Sequence, residues 1–122
     1  MNVLIVESNP DLGGLWQAHV ERLCKGNVAL ATNQQDAIAL IMRRSWDIIV
    51  LDLVIDGGSA MAVSDFASYR QPDAKVIFVT NTTFFSDGSI FNHCANACAF
   101  LPTTTLPEDL ANLVAHYGGA DA

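Results

Sequence analysis

Polar side chains capable of chemistry follow two of the short apolar runs in this sequence. Asp52 closes the run Asp47–Leu51, and the pair Glu7 and Ser8 closes the run at residues 3–6. Short apolar runs rich in β-branched residues are typical of strands buried on both faces of a parallel sheet. The carboxyl ends of such strands are where open α/β sheets place their ligands and reacting groups. Two carboxylates and a hydroxyl are therefore the first candidates for a functional site.

The spacing of apolar residues predicts the elements that must position these side chains. Five strand-like runs alternate with segments of helical spacing. We expect the strands at residues 3–6, 28–31, 47–52, 75–80 and 99–101, and a fourth helix at 86–95 whose apolar side continues to Cys98.

The helices are expected to bury one apolar stripe each. Thr32 with Gln35, and Thr105 with Glu108, resemble capping boxes that would begin the second and last helices. The inward-facing residues are predicted to be Leu12, Leu15, Trp16, His19, Val20 and Leu23 in the first helix, Ala37, Ile38, Ile41 and Met42 in the second, and Leu106, Leu110, Leu113, Val114 and Tyr117 in the last.

Strict alternation of strands and helices predicts an α/β fold, a doubly wound (βα)5 five-stranded parallel sheet with helices on both faces. Right-handed crossovers favour the strand order 2-1-3-4-5, whose switch point lies between the first and third strands. This order would bring Glu7, Ser8 and Asp52 to one crevice. Thr80 and Thr103 would lie at the ends of the neighbouring fourth and fifth strands.

Length and composition indicate one globular domain. The chain has 122 residues, of which 51% are hydrophobic and 16% charged, so it can bury a core and does not resemble a disordered segment. We expect the domain to cover residues 1–118 and to be followed by a short tail at 119–122.

Charge and cysteine content narrow the classes of partner and compartment. The net charge is −7 with only six Lys and Arg, which argues against direct binding to nucleic acid or to an anionic membrane surface. No apolar run approaches the ~18 residues that a membrane span needs. Three cysteines are too few for a disulfide framework and suit a reducing compartment. We therefore expect a cytoplasmic protein.

Five segments, taken in order, resemble the receiver domain of two-component response regulators. The resemblance covers nearly the whole chain and implies the flavodoxin-like receiver fold. It also implies a part in phosphorelay signal transduction rather than the role of an enzyme. The segments that carry it are Val3–Pro10, Ala31–Ala37, Asp47–Leu53, Val76–Thr80 and Asn96–Leu101.

The resemblance implies a role for each matching residue. Asp52 falls at the aspartate that takes a phosphoryl group from a histidine kinase. Glu7 falls at the first acidic position, which would bind Mg²⁺ together with Asp52 and the backbone carbonyl of Val54. Thr80 and Phe100 fall at the signalling hydroxyl and the switch aromatic residue.

Two departures from the receiver pattern affect the expected chemistry. Ser8 stands where the family has a second acid, and Thr103 stands where it has a lysine. Phosphoryl transfer relies on positive charge around the transferring oxygens, and Mg²⁺ prefers hard anionic ligands. We therefore expect Mg²⁺ binding to be weak or absent, phosphorylation of Asp52 to be slow or absent, and coupling to Thr80 and Phe100 to be poor.

Three functions remain open at this point. The first is an atypical receiver that acts by protein–protein interaction. It would dock a histidine kinase or another signalling protein through the face made by the predicted fourth helix, the fifth strand and the last helix, either alone, as a homodimer or as a piece of a longer protein. The second is a fully phosphorylatable receiver that shuttles phosphate. The third, a flavodoxin-like cofactor binder, is disfavoured because Pro10 removes a backbone donor from the loop after the first strand.

Overall fold

Five strands and four helices make up the part of the chain that the computed structural model describes, residues 1–80 and 96–118. Up to residue 80, strands and helices alternate along the chain as the sequence predicts. The elements are β1 (Asn2–Val6), α1 (Pro10–Leu23), β2 (Asn27–Ala31), α2 (Gln34–Arg43), β3 (Ile48–Asp52), α3 (Ala60–Arg70), β4 (Lys75–Thr80), β5 (Ala97–Pro102) and α4 (Pro107–Gly118).

The five strands form one parallel sheet in the order β2-β1-β3-β4-β5, which confirms the predicted doubly wound topology. The register places Ile5 of β1 opposite both Leu30 of β2 and Val50 of β3. All five residues of β3 are buried. The strand that ends in Asp52 therefore lies in the interior of the sheet, beside β1.

Helices cover both faces of the sheet and divide the core in two. Alternate side chains of β3 point to opposite faces, as in any strand. Ile49 and Leu51 belong to the core under α2 and α3, which also holds Phe78. Ile48 and Val50 belong to the second core, under α1 and α4. Each face is sealed by apolar side chains, which leaves the strand ends as the place for polar chemistry.

Asparagine side chains begin two of the helices. The Asn9 side chain accepts hydrogen bonds from the backbone N–H groups of Asp11 and Leu12, at 3.0 and 3.3 Å, and Pro10 follows as the first helical residue. Asn33 caps α2 by accepting from the N–H of Asp36 at 2.8 Å. The prediction that Thr32 caps this helix is wrong by one residue, because the helix begins at Gln34.

Four residues predicted to point into the core are exposed instead. Leu15 and Leu23 on α1 are 45% and 48% exposed, Met42 on α2 is 57% exposed, and Leu106 is 56% exposed. The three on α1 and α2 lie at the margin of an apolar stripe whose centre is buried, as at Trp16, whereas Leu106 precedes α4, which begins at Pro107. The sheet contacts only part of each helix, so the apolar spacing predicts a wider buried face than the structure has.

The fifth strand is longer than the sequence predicts. It begins at Ala97, so Cys98 lies in β5 rather than on the apolar side of a helix, and it runs to Pro102. Cys98 is half-buried against the core under α1 and α4. The predicted fourth helix at 86–95 and the predicted tail at 119–122 lie outside the described residues. Within the described ranges, no helix is long and apolar enough to cross a membrane.

Candidate functional site

Glu7 and Asp52 lie side by side at the carboxyl edge of the sheet. The register pairs Val6 of β1 with Leu51 of β3, so the next residue of each strand emerges at the same level. Both carboxylates are nonetheless buried, with exposed fractions of 5% for Glu7 and 6% for Asp52. The structure therefore brings together the two acids that the sequence singles out, at the switch point of the sheet.

Glu7 and Asp52 form a close pair of acids, and too few hydrogen-bond donors surround their carboxyl oxygens. The pKa of Glu7 is raised in part because its protonated side chain can hydrogen-bond to that of Asp52. A bond between two carboxyl groups needs a proton on one of them. The backbone N–H of Asn9 donates to Glu7 Oε1 at 3.4 Å, but no donor among the described residues reaches the buried Oε2. The site therefore favours a proton or a cation between the acids.

Burial dominates the electrostatics of Glu7. Loss of water raises the pKa of Glu7 from 4.5 to about 8, and the hydrogen bond and the charge of Asp52 act in the same direction. The N–H of Asn9 opposes the shift, and the charge of Asp56 adds to it. At neutral pH the pair therefore holds a proton on Glu7 unless a cation replaces it.

The loop after β3 fixes the Asp52 carboxylate. The N–H of Val54 donates to Asp52 Oδ1 at 2.8 Å, and the N–H of Leu53 donates to the Val79 carbonyl at 2.8 Å. The main chain at Val54 thus turns around the carboxylate, and its side chain is 61% exposed. The Val54 backbone donor could not be read from the sequence, because it depends on how this loop leaves the sheet.

Ser8 ties three segments together by its hydroxyl. Its Oγ donates to the Thr32 carbonyl at 2.7 Å and accepts from the N–H of Asp56 at 2.6 Å. Asn33 and Asp56 also form a parallel bridge. The Ser8 hydroxyl stands where the resemblance expects a second acid. It uses its proton and one lone pair in hydrogen bonds to the main chain. Its role is to hold the loop after β3 against the end of β2, which sequence spacing did not indicate.

Thr80 and Phe100 occupy the adjoining part of the sheet. Thr80 follows Val79, the partner of Asp52 in the β3–β4 register, and is 1% exposed. Phe100 pairs with Phe78, so it shares a sheet face with Thr80 and packs partly buried against the core under α2 and α3. Thr80 therefore lies at the end of the strand that neighbours Asp52, and Phe100 lies on the same face of the sheet, one strand further away.

Thr103 lies beside the end of β4. Its N–H donates to the Thr80 carbonyl at 3.0 Å, and its side chain is half-buried. The position where the resemblance expects a lysine thus lies beside the end of β4, and its side chain carries no charge.

All six Lys and Arg residues lie at the opposite edge of the sheet. Helices in a parallel α/β fold return antiparallel to the strands, so the ends of helices meet the beginnings of strands. No lysine or arginine within the described ranges stands near the acid pair. The six are in the last turns of α1, α2 and α3 or directly after them, and at the start of β4: Arg22, Lys25, Arg43, Arg44, Arg70 and Lys75.

The donor set fits a hard cation such as Mg²⁺. Glu7 and Asp52 offer adjacent carboxylates, and the buried Oε2 of Glu7 lacks a partner that a cation would supply. The resemblance implies the backbone carbonyl of Val54 as a third oxygen ligand. Over the described residues, however, no group of three or more His, Cys, Asp or Glu could hold a metal ion. Mg²⁺ favours octahedral oxygen ligands and usually keeps several waters, so two carboxylates can be enough to hold it.

Comparison with solved structures identifies the fold as that of response-regulator receiver domains. The chain matches a response regulator receiver domain protein (CheY-like) from Methanospirillum hungatei with a TM-score of 0.86 and 18% identity, over 97% of this chain and 93% of that one. The receiver domain of NtrX from Brucella abortus matches with a TM-score of 0.84 and 17% identity, over 96% and 98% of the two chains.

A third match is the response regulator protein TrrA from Thermotoga maritima, solved in complex with Mg(2+)-BeF, with a TM-score of 0.80 and 18% identity over 95% of this chain and 97% of that one. No protein-family model and no curated protein sequence matches the chain. The resemblance read from the sequence is confirmed at the level of the fold.

Proposed function

We propose that this chain is a receiver domain of two-component signalling in which Asp52 holds the phospho-acceptor position and phosphorylation is impaired. The observation that carries the proposal is the buried pair of Glu7 and Asp52 on adjacent strand ends at the switch point. With a receiver-type fold around it, this pair suits a signalling role better than metabolic catalysis, and the chain is proposed not to be an enzyme.

The proposed chemistry is transfer of a phosphoryl group to the Asp52 carboxylate. An Asp52 oxygen would attack phosphorus, and the bond from phosphorus to the nitrogen of a phosphohistidine would break. The histidine would leave as neutral imidazole after taking a proton. The Val54 N–H, at 2.8 Å from Asp52 Oδ1, orients the attacking carboxylate, and the Glu7 side chain packs against it.

Mg²⁺, where bound by Glu7, Asp52 and the Val54 carbonyl, would neutralise charge on the transferring oxygens. Because Ser8 Oγ is engaged with the Thr32 carbonyl and the Asp56 N–H, we propose that this binding is weak.

The impairment follows from missing positive charge. Phosphoryl transfer depends on positioning and on cations around the phosphoryl oxygens. Thr103 supplies none, and the chain's lysines and arginines lie at the far edge of the sheet. We infer slow phosphorylation and poor coupling from Asp52 to Thr80 and Phe100.

The output of such a domain would be protein–protein contact. We propose docking of a histidine kinase or another signalling protein on the face that includes β5 and α4, continued by the predicted fourth helix. Cys24 and Cys98 are free thiols, which suits the reducing cytoplasm proposed as its location.

Mass spectrometry after incubation with Mg²⁺ and acetyl phosphate tests the proposal. We expect a small, slowly formed phosphorylated fraction that Asp52→Asn abolishes and that Asp65→Asn, an exposed acid on α3, preserves. Rapid and complete labelling that Asp52→Asn removes would instead establish a fully phosphorylatable receiver. Labelling that persists in Asp52→Asn would contradict the assignment of Asp52.

A further inference from the structure

Three of the six basic residues of this acidic chain surround one pocket far from the acid pair. The pocket has a volume of about 290 Å³ and lies where α2 and α3 end. Arg43, Arg44 and Arg70 line it, together with Met42, Ser45 and Gln71, and no carboxylate is among its lining residues. We propose that this pocket binds a compact anion that carries phosphate groups.

The Gln71 side chain explains why the arginines meet. Its Nε2 donates to the carbonyls of Ile41 and Arg44, at 2.6 and 2.7 Å, and its Oε1 accepts from the N–H of Trp46 at 2.7 Å. Gln71 directly follows Arg70 at the end of α3. These three bonds fasten the ends of α2 and α3 to each other, so Arg70 comes to the same pocket as Arg43 and Arg44.

The guanidinium groups are available for a ligand. All three arginines are exposed, and none forms an ion pair with a carboxylate of the described residues. Arg44 lies over the Trp46 ring, with its guanidinium carbon 5.6 Å from the ring centroid. The buried indole holds this side chain in place, which lowers the entropy lost when it binds an anion.

Compensation of helix dipoles accounts for only part of this charge. Each helix end carries about half a negative charge, so the two ends together amount to about one. Three guanidinium groups exceed that requirement by about two positive charges. Gln71 also satisfies two of the free carbonyls at the end of α2, so the arginines are not needed as hydrogen-bond donors there.

The geometry points to a phosphate-bearing small molecule. Planar guanidinium groups bind phosphate oxygens in pairs of parallel hydrogen bonds, and the exposed Ser45 hydroxyl lies in the same pocket. The volume is close to the lower end of small-ligand pockets, about 300 Å³. A nucleic-acid strand would need a longer basic groove, and the net charge of −7 disfavours one.

Calorimetric titration with inorganic pyrophosphate in metal-free, low-salt buffer tests the inference. We expect saturable binding by the intact chain, with a shift of the Trp46 indole N–H signal in NMR spectra. Arg44→Gln and Arg70→Gln should each weaken binding by at least about tenfold, because each removes a charge-assisted contact. Arg70→Lys, which keeps the charge but not the planar group, should be intermediate.

Arg22→Gln is the matched control, since it removes the same charge from an exposed helix end outside the pocket. It should leave the affinity within about twofold, as expected for distant sites. Equal losses in Arg22→Gln and Arg44→Gln would show non-specific attraction and overturn the inference. Absence of binding, or equally tight binding of citrate, would also overturn it, the latter by pointing to carboxylate-rich partners.

Discussion

Glu7 and Asp52 lie side by side at adjacent strand ends, and both are more than nine-tenths buried. Burial excludes the water that would otherwise screen the charges of the two acids. One of them must therefore bind a proton or share a cation with the other. A proton held by Glu7 makes the stability of the fold depend on pH.

The stability of the protein should fall as the pH rises, in the absence of divalent metal. The pKa of Glu7 is raised from 4.5 to about 8, so the folded state holds a proton that the unfolded state has lost across this interval. The stabilisation is complete below pH 4.5 and is lost as the pH rises through 8. The slope is roughly 1 kcal/mol per pH unit.

Glu7→Gln should remove this part of the pH dependence, because glutamine keeps the shape and can donate to Asp52 without titrating. Urea unfolding at several pH values, with a chelator present, would measure it. The variant should gain stability relative to the original chain as the pH rises from 4.5 to 8. Parallel stability curves for the two proteins would contradict the raised pKa.

Thr103→Lys should accelerate phosphorylation of Asp52. Thr103 is joined to the end of β4 by the bond from its N–H to the Thr80 carbonyl, and β4 neighbours the strand that ends in Asp52, so we expect a lysine there to extend toward the acid pair. We expect the rate of labelling by acetyl phosphate to rise at least about tenfold, as a positive charge meets the transferring oxygens. Initial rates from intact-protein mass would measure the change.

Thr104→Lys is the matched control, since it adds the same charge at the exposed neighbouring position. It should change the labelling rate much less. Equal acceleration by both variants would mean that overall charge, rather than a placed cation, limits the reaction.

Ser8→Ala should destabilise the fold by about 1–2 kcal/mol. The substitution leaves the Thr32 carbonyl without its donor and the Asp56 N–H without its acceptor. Chemical denaturation compares it with Ser45→Ala, an exposed serine whose change should cost less than about 0.5 kcal/mol. Equal stabilities of the two variants would show that the two hydrogen bonds of the Ser8 hydroxyl do not stabilise the fold.

The neighbouring glycines of α1 should respond in opposite directions to alanine. A methyl group at Gly14 meets nothing within 4 Å, so Gly14→Ala should stabilise the helix by about 0.5–1 kcal/mol. At Gly13 the new carbon would lie 2.8 Å from Leu30 Cδ1 and 3.3 Å from Glu7 Cβ, so crowding should make Gly13→Ala destabilising by about 1 kcal/mol. Melting temperatures of the two variants would test this, and a gain at both positions would refute the close approach of α1.

The sequence was sufficient for the sheet and for the acid pair. Apolar runs predict the strands because β-branched residues buried on both faces leave little alternative. Strand order then follows from right-handed crossovers, and Glu7 and Asp52 meet by register alone. The site could be predicted because its two acids directly follow the strands that carry them.

Features that depend on the path of a loop, or on how much of a helix the sheet contacts, could not be predicted from the sequence. The tie from Ser8 to Asp56 spans segments far apart in the sequence, so no local pattern indicates it. Leu15 and Met42 fit a helical stripe, but whether a stripe's margin is buried depends on how the helix lies on the sheet. The pocket at Arg70 likewise depends on the reach of a glutamine side chain across two helix ends.

The segregation of charge makes the domain an electric dipole. Its six lysines and arginines lie at one edge of the sheet, where they outnumber Glu21, Asp47 and Asp73, while the acid pair and the acidic first turns of α1, α2 and α4 lie at the other. The electric field of a partner with a basic surface would rotate the approaching domain before contact. The edge that carries the acid pair would then face the partner. Such steering speeds association at low ionic strength and fades over about 10 Å in 0.1 M salt. The domain can in this way present the edge that carries Asp52 to a basic partner, whether or not Asp52 is phosphorylated.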